Sequence, residues 1–193
     1  MRSGRMLGIL LTACAGMLGC FVPEEFDATL EIDKDRNFQF SYDGTLVFAP
    51  SLSQIKENGS LSVSEEASIA QAVGELRKQP GVVSALYAGR GRFRIKYREA
   101  GALTPGRTLF MDLGTFQADP GGGIRISGPA FNPGDLRELT ELGLKLDGTI
   151  RLKSAIPVVQ HNAASTPWFG GRLGAYKWRV TATKEVSPTA LVR

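Results

Sequence analysis

The feature that most constrains this chain is a strict alternation of apolar and polar residues near its N-terminus. Within 26–32, the apolar positions are Phe26, Ala28, Leu30 and Ile32. The same period returns in 38–48, after the turn-forming residues of 33–37. Successive side chains of a strand point to opposite faces, so this pattern predicts two half-buried strands joined as an antiparallel hairpin.

One helix is marked by signals at both ends. Ser62 and Glu65 have the spacing of a capping box, and Pro80-Gly81 is a stop signal. The apolar stripe between them consists of Ile69, Val73 and Leu76. Gly74 lowers helix propensity, so we expect that it allows close packing against the sheet.

The rest of the chain consists of short strand patterns separated by turns. Strands are predicted at 82–87, 92–98, 108–112, 124–127, 144–153 and 176–183, and a short helix at 135–142. We therefore expect an α+β fold in which an antiparallel sheet of hairpin-connected strands carries one main and one short helix. The expected single domain is 26–186, followed by a frayed tail at 187–193.

The first twenty residues are organised like a bacterial lipoprotein signal peptide. Arg2 and Arg5 precede an apolar run at 6–18, and the small residue Gly19 stands before Cys20. At about 1.5 Å per residue the run spans roughly 20 Å, which is less than a hydrocarbon core of about 30 Å. The segment therefore indicates a signal peptide with a lipobox.

This interpretation divides the N-terminus into a signal peptide at 1–19 and a short tether at 20–25 that begins at a lipidated Cys20. The alternative is an ordinary secretory signal cut near Ala13 or Ala15. Two or three acyl chains hold a protein firmly at a membrane, so we expect a palmitate-bearing lipid anchor.

The residue after the predicted lipidation site also predicts which membrane holds the protein. Phe21 stands where an inner-membrane retention signal of enteric bacteria has Asp. An exported protein on the periplasmic side of the outer membrane is therefore favoured in a Gram-negative cell, and the outer face of the cell membrane otherwise.

Cysteine content and charge exclude several classes of function. Both cysteines, Cys14 and Cys20, lie in the signal region, which excludes disulfides and cysteine-based metal or thiol chemistry in the body. Loss of Arg2 and Arg5 lowers the formal net charge from +4 to +2. A nearly neutral exported body argues against nucleic-acid binding.

A basic strand is the best candidate binding site. The cations are Arg90, Arg92, Arg94, Lys96 and Arg98. Alternation places the last four on one face of a strand, where an anion or a lipid head group would relieve their repulsion. The alternative is a solvated face neutralised by acidic residues on neighbouring strands, such as Glu31, Asp33 or Asp147.

An apolar loop tip and a histidine are the other candidates. Trp168 and Phe169 form an apolar loop tip that is expected to contact a ligand or a bilayer. His161 is the only histidine, so a Ser-His-Asp triad would have to use it. No nucleophile elbow is present, and we expect His161 to be a turn residue. The sequence indicates no catalytic residue, metal site or cofactor.

Short motifs in the C-terminal part resemble the end of LppM-like bacterial lipoproteins. They are Ile156-Pro157-Val158-Val159, His161-Asn162-Ala163 and Lys177-Trp178-Arg179-Val180. The lipobox and the strand that begins at Asp43-Gly44 are also similar, whereas the family's C-terminal membrane helix is missing. The resemblance implies an α/β envelope lipoprotein, suggests lipid binding and carries no established catalytic residues.

These observations predict a non-enzymatic, membrane-anchored envelope lipoprotein that binds a lipid, a glycolipid or another anionic envelope component. The alternative is an interaction subunit that binds a protein of an envelope or secretion assembly. A hydrolase that uses His161 is a third, less favoured hypothesis.

Overall fold

A computed structural model of the protein describes residues 21–168, 174–183 and 187–193. The predicted signal peptide, the predicted lipidation site Cys20 and the loop residue Phe169 lie outside the described residues.

The described residues form ten strands and three α-helices. The strands are β1 (Phe21–Ile32), β2 (Asn37–Phe48), β3 (Val82–Gly89), β4 (Arg92–Ala102), β5 (Thr115–Ala118), β6 (Ile124–Ser127), β7 (Asp147–Ser154), β8 (Val158–His161), β9 (Tyr176–Thr181) and β10 (Thr189–Val192). The helices are α1 (Ala49–Asn58), α2 (Val63–Lys78) and α3 (Pro133–Glu141). The predicted α+β class is confirmed.

The strands form two sheets, whereas the sequence predicted one. A six-stranded sheet has the order β3-β4-β2-β1-β7-β9, and a four-stranded sheet has the order β5-β6-β10-β8. The predicted hairpin of β1 and β2 is antiparallel, but β1 pairs with β7 in parallel. A pattern of period two predicts which side chains of a strand face the core, but it does not predict which strands pair with it.

The alternating pattern produces one covered face of the six-stranded sheet. Phe26, Ala28, Leu30 and Ile32 are all buried, while Asp27 and Glu31 between them are exposed. Helix α2 contacts β3, and the four-stranded sheet covers another part of the same face. Phe38 of β2 and Phe116 of β5 meet edge to face, with ring centroids 5.2 Å apart.

The structure corrects both ends of the predicted domain. Residues 21–25, expected as a tether, are the first part of β1, in which Phe21 pairs with Phe48. An irregularity between Pro23 and Phe26 interrupts the alternation, which hid this part of the strand. The expected frayed tail contains β10, which lies between β6 and β8 because Ala190, Leu191 and Val192 are buried.

Three local predictions also change. Helix α1 was not predicted, and the predicted strand 108–112 contains a 3-10 turn at Phe110–Asp112, where Met111 has a φ of 54°. A Cβ added to Gly74 of α2 meets no atom within 4 Å, so the expected close packing there is wrong. The capping box of α2 is confirmed: Ser62 Oγ accepts from Glu65 N, and the Glu65 carboxylate accepts from Ser62 N.

Across the ranges that the structure describes, no helix is both long and apolar enough to cross a membrane.

Candidate functional site

The uncovered side of the six-stranded sheet, here called the open face, is a broad polar surface. It is the face opposite the buried residues of β1, β2, β4, β7 and β9. Its side chains are exposed or half-buried. Its charged residues are Glu25, Asp27, Glu31, Asp43, Arg94, Lys96, Arg98, Asp147, Arg151, Lys153, Lys177 and Arg179. The predicted basic strand, β4, contributes three of these cations.

Cross-strand ion pairs neutralise part of the open face. The pairs are Lys96–Asp43 at 3.2 Å, Arg151–Asp27 at 2.6 Å, Lys153–Glu31 at 2.7 Å and Arg179–Asp147 at 2.7 Å. The hydrogen bond from Arg179 lowers the pKa of the Asp147 carboxyl. Exposed pairs contribute only about 0–1 kcal/mol each, so they organise the surface more than they stabilise it.

The neutralising residues were only partly predicted. Glu31 and Asp147 do pair with cations of the open face, but with those of β7 and β9. Asp33 instead holds the β1–β2 turn, where its Oδ1 accepts hydrogen bonds from the backbone N–H groups of Asp35 and Asn37. The hydrogen bond from Asn37 lowers the pKa of Asp33.

Arg94 and Arg98 are the cations of β4 that lack an anionic partner among the residues the structure describes. Both side chains are exposed, and neither forms an ion pair or a side-chain hydrogen bond with the residues that the structure describes. In β2 they lie opposite Thr45 and Ser41, which carry no charge. Their Cα atoms are about 13 Å apart, four residues along a strand. Each guanidinium presents a planar set of N–H donors that matches phosphate and carboxylate oxygens.

Arg92 has a different role from its neighbours on β4. Its Nε and Nη2 each donate to the Glu24 carboxylate at 2.8 Å, and Glu24 is only 5% exposed. The backbone N–H of Lys145 donates a third hydrogen bond to Glu24 at 3.2 Å. The hydrogen bond with Glu24 raises the pKa of Arg92. Arg92 is therefore occupied by an internal ion pair that the sequence did not indicate.

Arg90 lies away from the open face, in the turn between β3 and β4. Its φ is 55°, its side chain is exposed, and its backbone N–H donates to Glu66 Oε1 at 3.0 Å. The five predicted cations are thus divided into three on the open face, one in a buried pair and one in a turn.

A cleft of about 1180 Å³ lies at the end of the sheet where β1 and β7 finish and β2 begins. Its apolar wall includes Phe38, Ile156, Pro157, Val158 and Tyr176, and its polar wall includes Glu31, Asp33, Asn37 and Lys153. Pro167 also lines the cleft, and the next residue, Trp168, is 75% exposed. The predicted apolar loop contact therefore begins beside this cleft.

His161 is the last residue of β8 and not a turn residue. Its Nδ1 accepts a hydrogen bond from the backbone N–H of Ala163 at 3.1 Å, and its ring lies 4.8 Å from that of Tyr176. No hydroxyl or carboxylate of the described residues is hydrogen-bonded to it.

The neighbouring Asn162 has a structural role that the sequence did not reveal. Its Oδ1 accepts from Trp178 Nε1 at 2.7 Å and from the Thr189 backbone N–H at 2.8 Å. Its Nδ2 donates to the Ser187 carbonyl at 2.8 Å. One amide therefore joins β9 of the six-stranded sheet to β10 of the four-stranded sheet.

The residues that the structure describes contain no group of three or more His, Cys, Asp or Glu side chains placed to hold a metal ion.

No protein-family model matches the chain, and no curated protein matches it in sequence. In structure, it is similar to the folded domain of the Mycobacterium tuberculosis LppM protein, solved by NMR. The two are 10% identical, with a TM-score of 0.45 over 88% of this chain and 89% of that chain. The neighbour comes from the family that the C-terminal motifs resemble. The predicted resemblance is confirmed as a likeness of fold alone.

Proposed function

We propose that this protein is a lipid-anchored envelope lipoprotein without enzymatic activity that binds an anionic envelope component on its open face. The component is the head group of a lipid or glycolipid, or a comparable anion of the envelope. The observation that carries the proposal is the pair Arg94 and Arg98, two exposed guanidinium groups that lack an anionic partner among the described residues.

The arrangement of β4 favours an anion as the ligand. Lys96 lies between the two arginines, and its pair with Asp43 is exposed on both sides, with side chains 62% and 64% accessible. Such a pair is weak, so Lys96 can exchange Asp43 for an incoming phosphate or carboxylate. A ligand that contacts the three cations would bind with a strong dependence on salt.

The lipid anchor rests on a separate observation, the lipobox that ends at Cys20. Mass analysis of the membrane-extracted protein tests it directly. Acylation is expected in the native sequence and is expected to be lost in Cys20→Ser. An unmodified Cys20, or a chain cut near Ala13 or Ala15, would contradict the anchor. Neither result would bear on the anion site, which has a test of its own.

The anion site is tested with residues 21–193, which include every described residue. The variant is Arg94→Glu/Arg98→Glu, and the matched control Lys78→Glu/Arg137→Glu makes the same change of charge on α2 and α3. Arg92 is left unchanged because its reversal would break the pair with Glu24. The measurement is co-sedimentation with phosphatidylglycerol vesicles and with phosphatidylcholine vesicles.

Native protein and control are expected to bind the anionic vesicles at an ionic strength of about 0.01 M, where the Debye length is about 30 Å. Both are expected to lose binding near 1 M, because the Debye length is then only about 3 Å. The Arg94→Glu/Arg98→Glu variant is expected to bind the anionic vesicles weakly at both ionic strengths. Equal binding by variant and control would contradict the proposed anion site at Arg94 and Arg98. Native mass spectrometry with solvent extraction then identifies any lipid that co-purifies.

The second candidate function is an interaction subunit of an envelope or secretion assembly. Strand β3 favours it, because β3 is at one edge of the six-stranded sheet and its Val83 and Leu86 are 60% and 56% exposed. A partner strand can add to such an edge. Recovery of one protein in stoichiometric amount with the native chain, and its loss with Leu86→Lys, would favour this function over anion binding.

A further inference from the structure

The proposed lipid attachment site adjoins a fixed end of the six-stranded sheet. Phe21 directly follows the predicted lipidation site Cys20 in the sequence. Phe21 is 8% exposed, pairs with Phe48 and packs its ring against Phe93 at 5.2 Å. No flexible tether therefore separates the folded body from the residue that would carry the acyl chains.

The β3–β4 turn lies at this same end. The backbone N–H of Phe48 donates to the Gly91 carbonyl at 2.8 Å, which places the Arg90 turn level with Phe21. The Glu66 carboxylate accepts from the Arg90 backbone N–H and from the Tyr87 hydroxyl, so α2 begins here as well.

Val63 is the first residue of α2, one turn before Glu66, and it is 88% exposed. A large apolar side chain at the tip of a helix gains about 25 cal/mol per Å² of apolar surface removed from water. Phe21, Val63 and Arg90 together define what we call the anchor end of the molecule.

We propose that the anchor end is a membrane-contact surface and that the occupant is the bilayer holding the acyl chains of Cys20. The six-stranded sheet then stands on the membrane with β1 directed away from it. Val63 enters the head-group region, and Arg90 reaches the lipid phosphates. This inference rests on the proposed lipidation of Cys20.

The orientation determines what the other sites can reach. Strand β1 runs for about 35 Å from Phe21 to Ile32, and Ile32 lines the cleft. Arg98 lies six residues along β4 from Arg92, the first residue after the turn, which is about 20 Å at strand spacing. Since the Debye length is about 8 Å at physiological ionic strength, Arg98 is beyond the field of the bilayer below. The anion bound on the outer part of the open face therefore comes from outside the membrane that holds the anchor.

Single fluorescent labels on the full-length lipoprotein test this orientation. The body has no cysteine besides Cys20, so an introduced cysteine is the only labelled thiol once Cys20 is acylated. The anchor-end positions are Val63→Cys and Arg90→Cys. The controls are Val159→Cys, which replaces an exposed valine on β8, and Ala100→Cys, at the far end of β4 on the open face.

The labelled proteins are reconstituted in vesicles whose lipids carry a nitroxide on the head group. Labels at 63 and 90 are expected to be quenched several-fold more strongly than labels at 100 and 159. Strong quenching at 100 would mean that the open face lies flat on the bilayer and would overturn the proposal. Absence of quenching at 63 and 90 in acylated protein would overturn it too.

Mass analysis of each sample distinguishes this failure from failure of the proposed function. If Cys20 carries no acyl chains, both the anchor and the orientation are wrong. If Cys20 is acylated and the quenching pattern differs from the expected one, only the orientation is wrong.

Discussion

The Arg92 guanidinium donates two hydrogen bonds of 2.8 Å to the nearly buried Glu24 carboxylate, joining β4 to the start of β1. A buried ion is stable only when its partners remain, and here Lys145 N completes the set. The pair removes Arg92 from the cations available to a ligand. It also holds the part of β1 that would follow the lipid anchor.

Replacement of Arg92 by Leu is therefore expected to destabilise the protein, because it leaves the Glu24 carboxylate buried without a counter-charge. The expected loss is about 3 kcal/mol, measured as a lower midpoint of urea unfolding with an unchanged slope. Lys96→Leu on the same strand is the control, since its exposed pair contributes at most about 1 kcal/mol. Equal losses in the two variants would contradict the role of the Glu24 pair.

Asn162 provides a second test, at the junction of the two sheets. Asn162→Ala removes the acceptor of Trp178 Nε1 and of the Thr189 N–H, together with a donor to Ser187. Only the Trp178 bond is partly buried, whereas water can replace the two exposed bonds. An unsatisfied buried donor costs about 1–3 kcal/mol, so we expect a loss of about 1 kcal/mol and a changed emission of Trp178. The control is His161→Ala, at the exposed residue before Asn162. It should leave the unfolding free energy and the Trp178 emission nearly unchanged.

The sequence predicted the hairpin of β1 and β2, the bounds of β6 and the start of α2 because each depends on local signals: alternation, turn residues and a capping box. It missed the start of β1 because an irregularity between Pro23 and Phe26 breaks the alternation. It missed β10 because a run as short as Thr189–Val192 is a strand only when β6 and β8 flank it. Such tertiary pairings leave no periodic signal.

The candidate site, like the fold, was predictable only in part. Alternation placed Arg94, Lys96 and Arg98 on one face, as the structure does. The partners of these cations depend on strand order, so the sequence could not separate Arg92, which is paired with Glu24, from Arg94, which has no partner among the described residues. The anchor end also emerges only from the pairing of Phe21 with Phe48.

Acid stability is expected to depend on Asp119. Hydrogen bonding from Arg125 lowers the pKa of this carboxyl in the folded state. A depressed pKa contributes stability above the unfolded value of about 3.9, and this stability is lost as the pH falls through the folded value. In Asp119→Asn, the decline of unfolding free energy below about pH 4 should be shallower than in the native protein. Asp112→Asn, at a carboxyl that forms no ion pair with the described residues, is the control.

Two glycines are expected to respond to alanine in opposite directions. A Cβ at Gly148 of β7 would clash with the Phe26 ring, which must then shift. Overpacking of this kind costs about 1–3 kcal/mol. A Cβ at Gly74 of α2 meets nothing within 4 Å, so Gly74→Ala should stabilise the protein by up to about 1 kcal/mol through helix propensity. Thermal unfolding of the two variants measures both effects. A stabilised Gly148→Ala would show that Phe26 can move aside and that the β1–β7 contact is loosely packed.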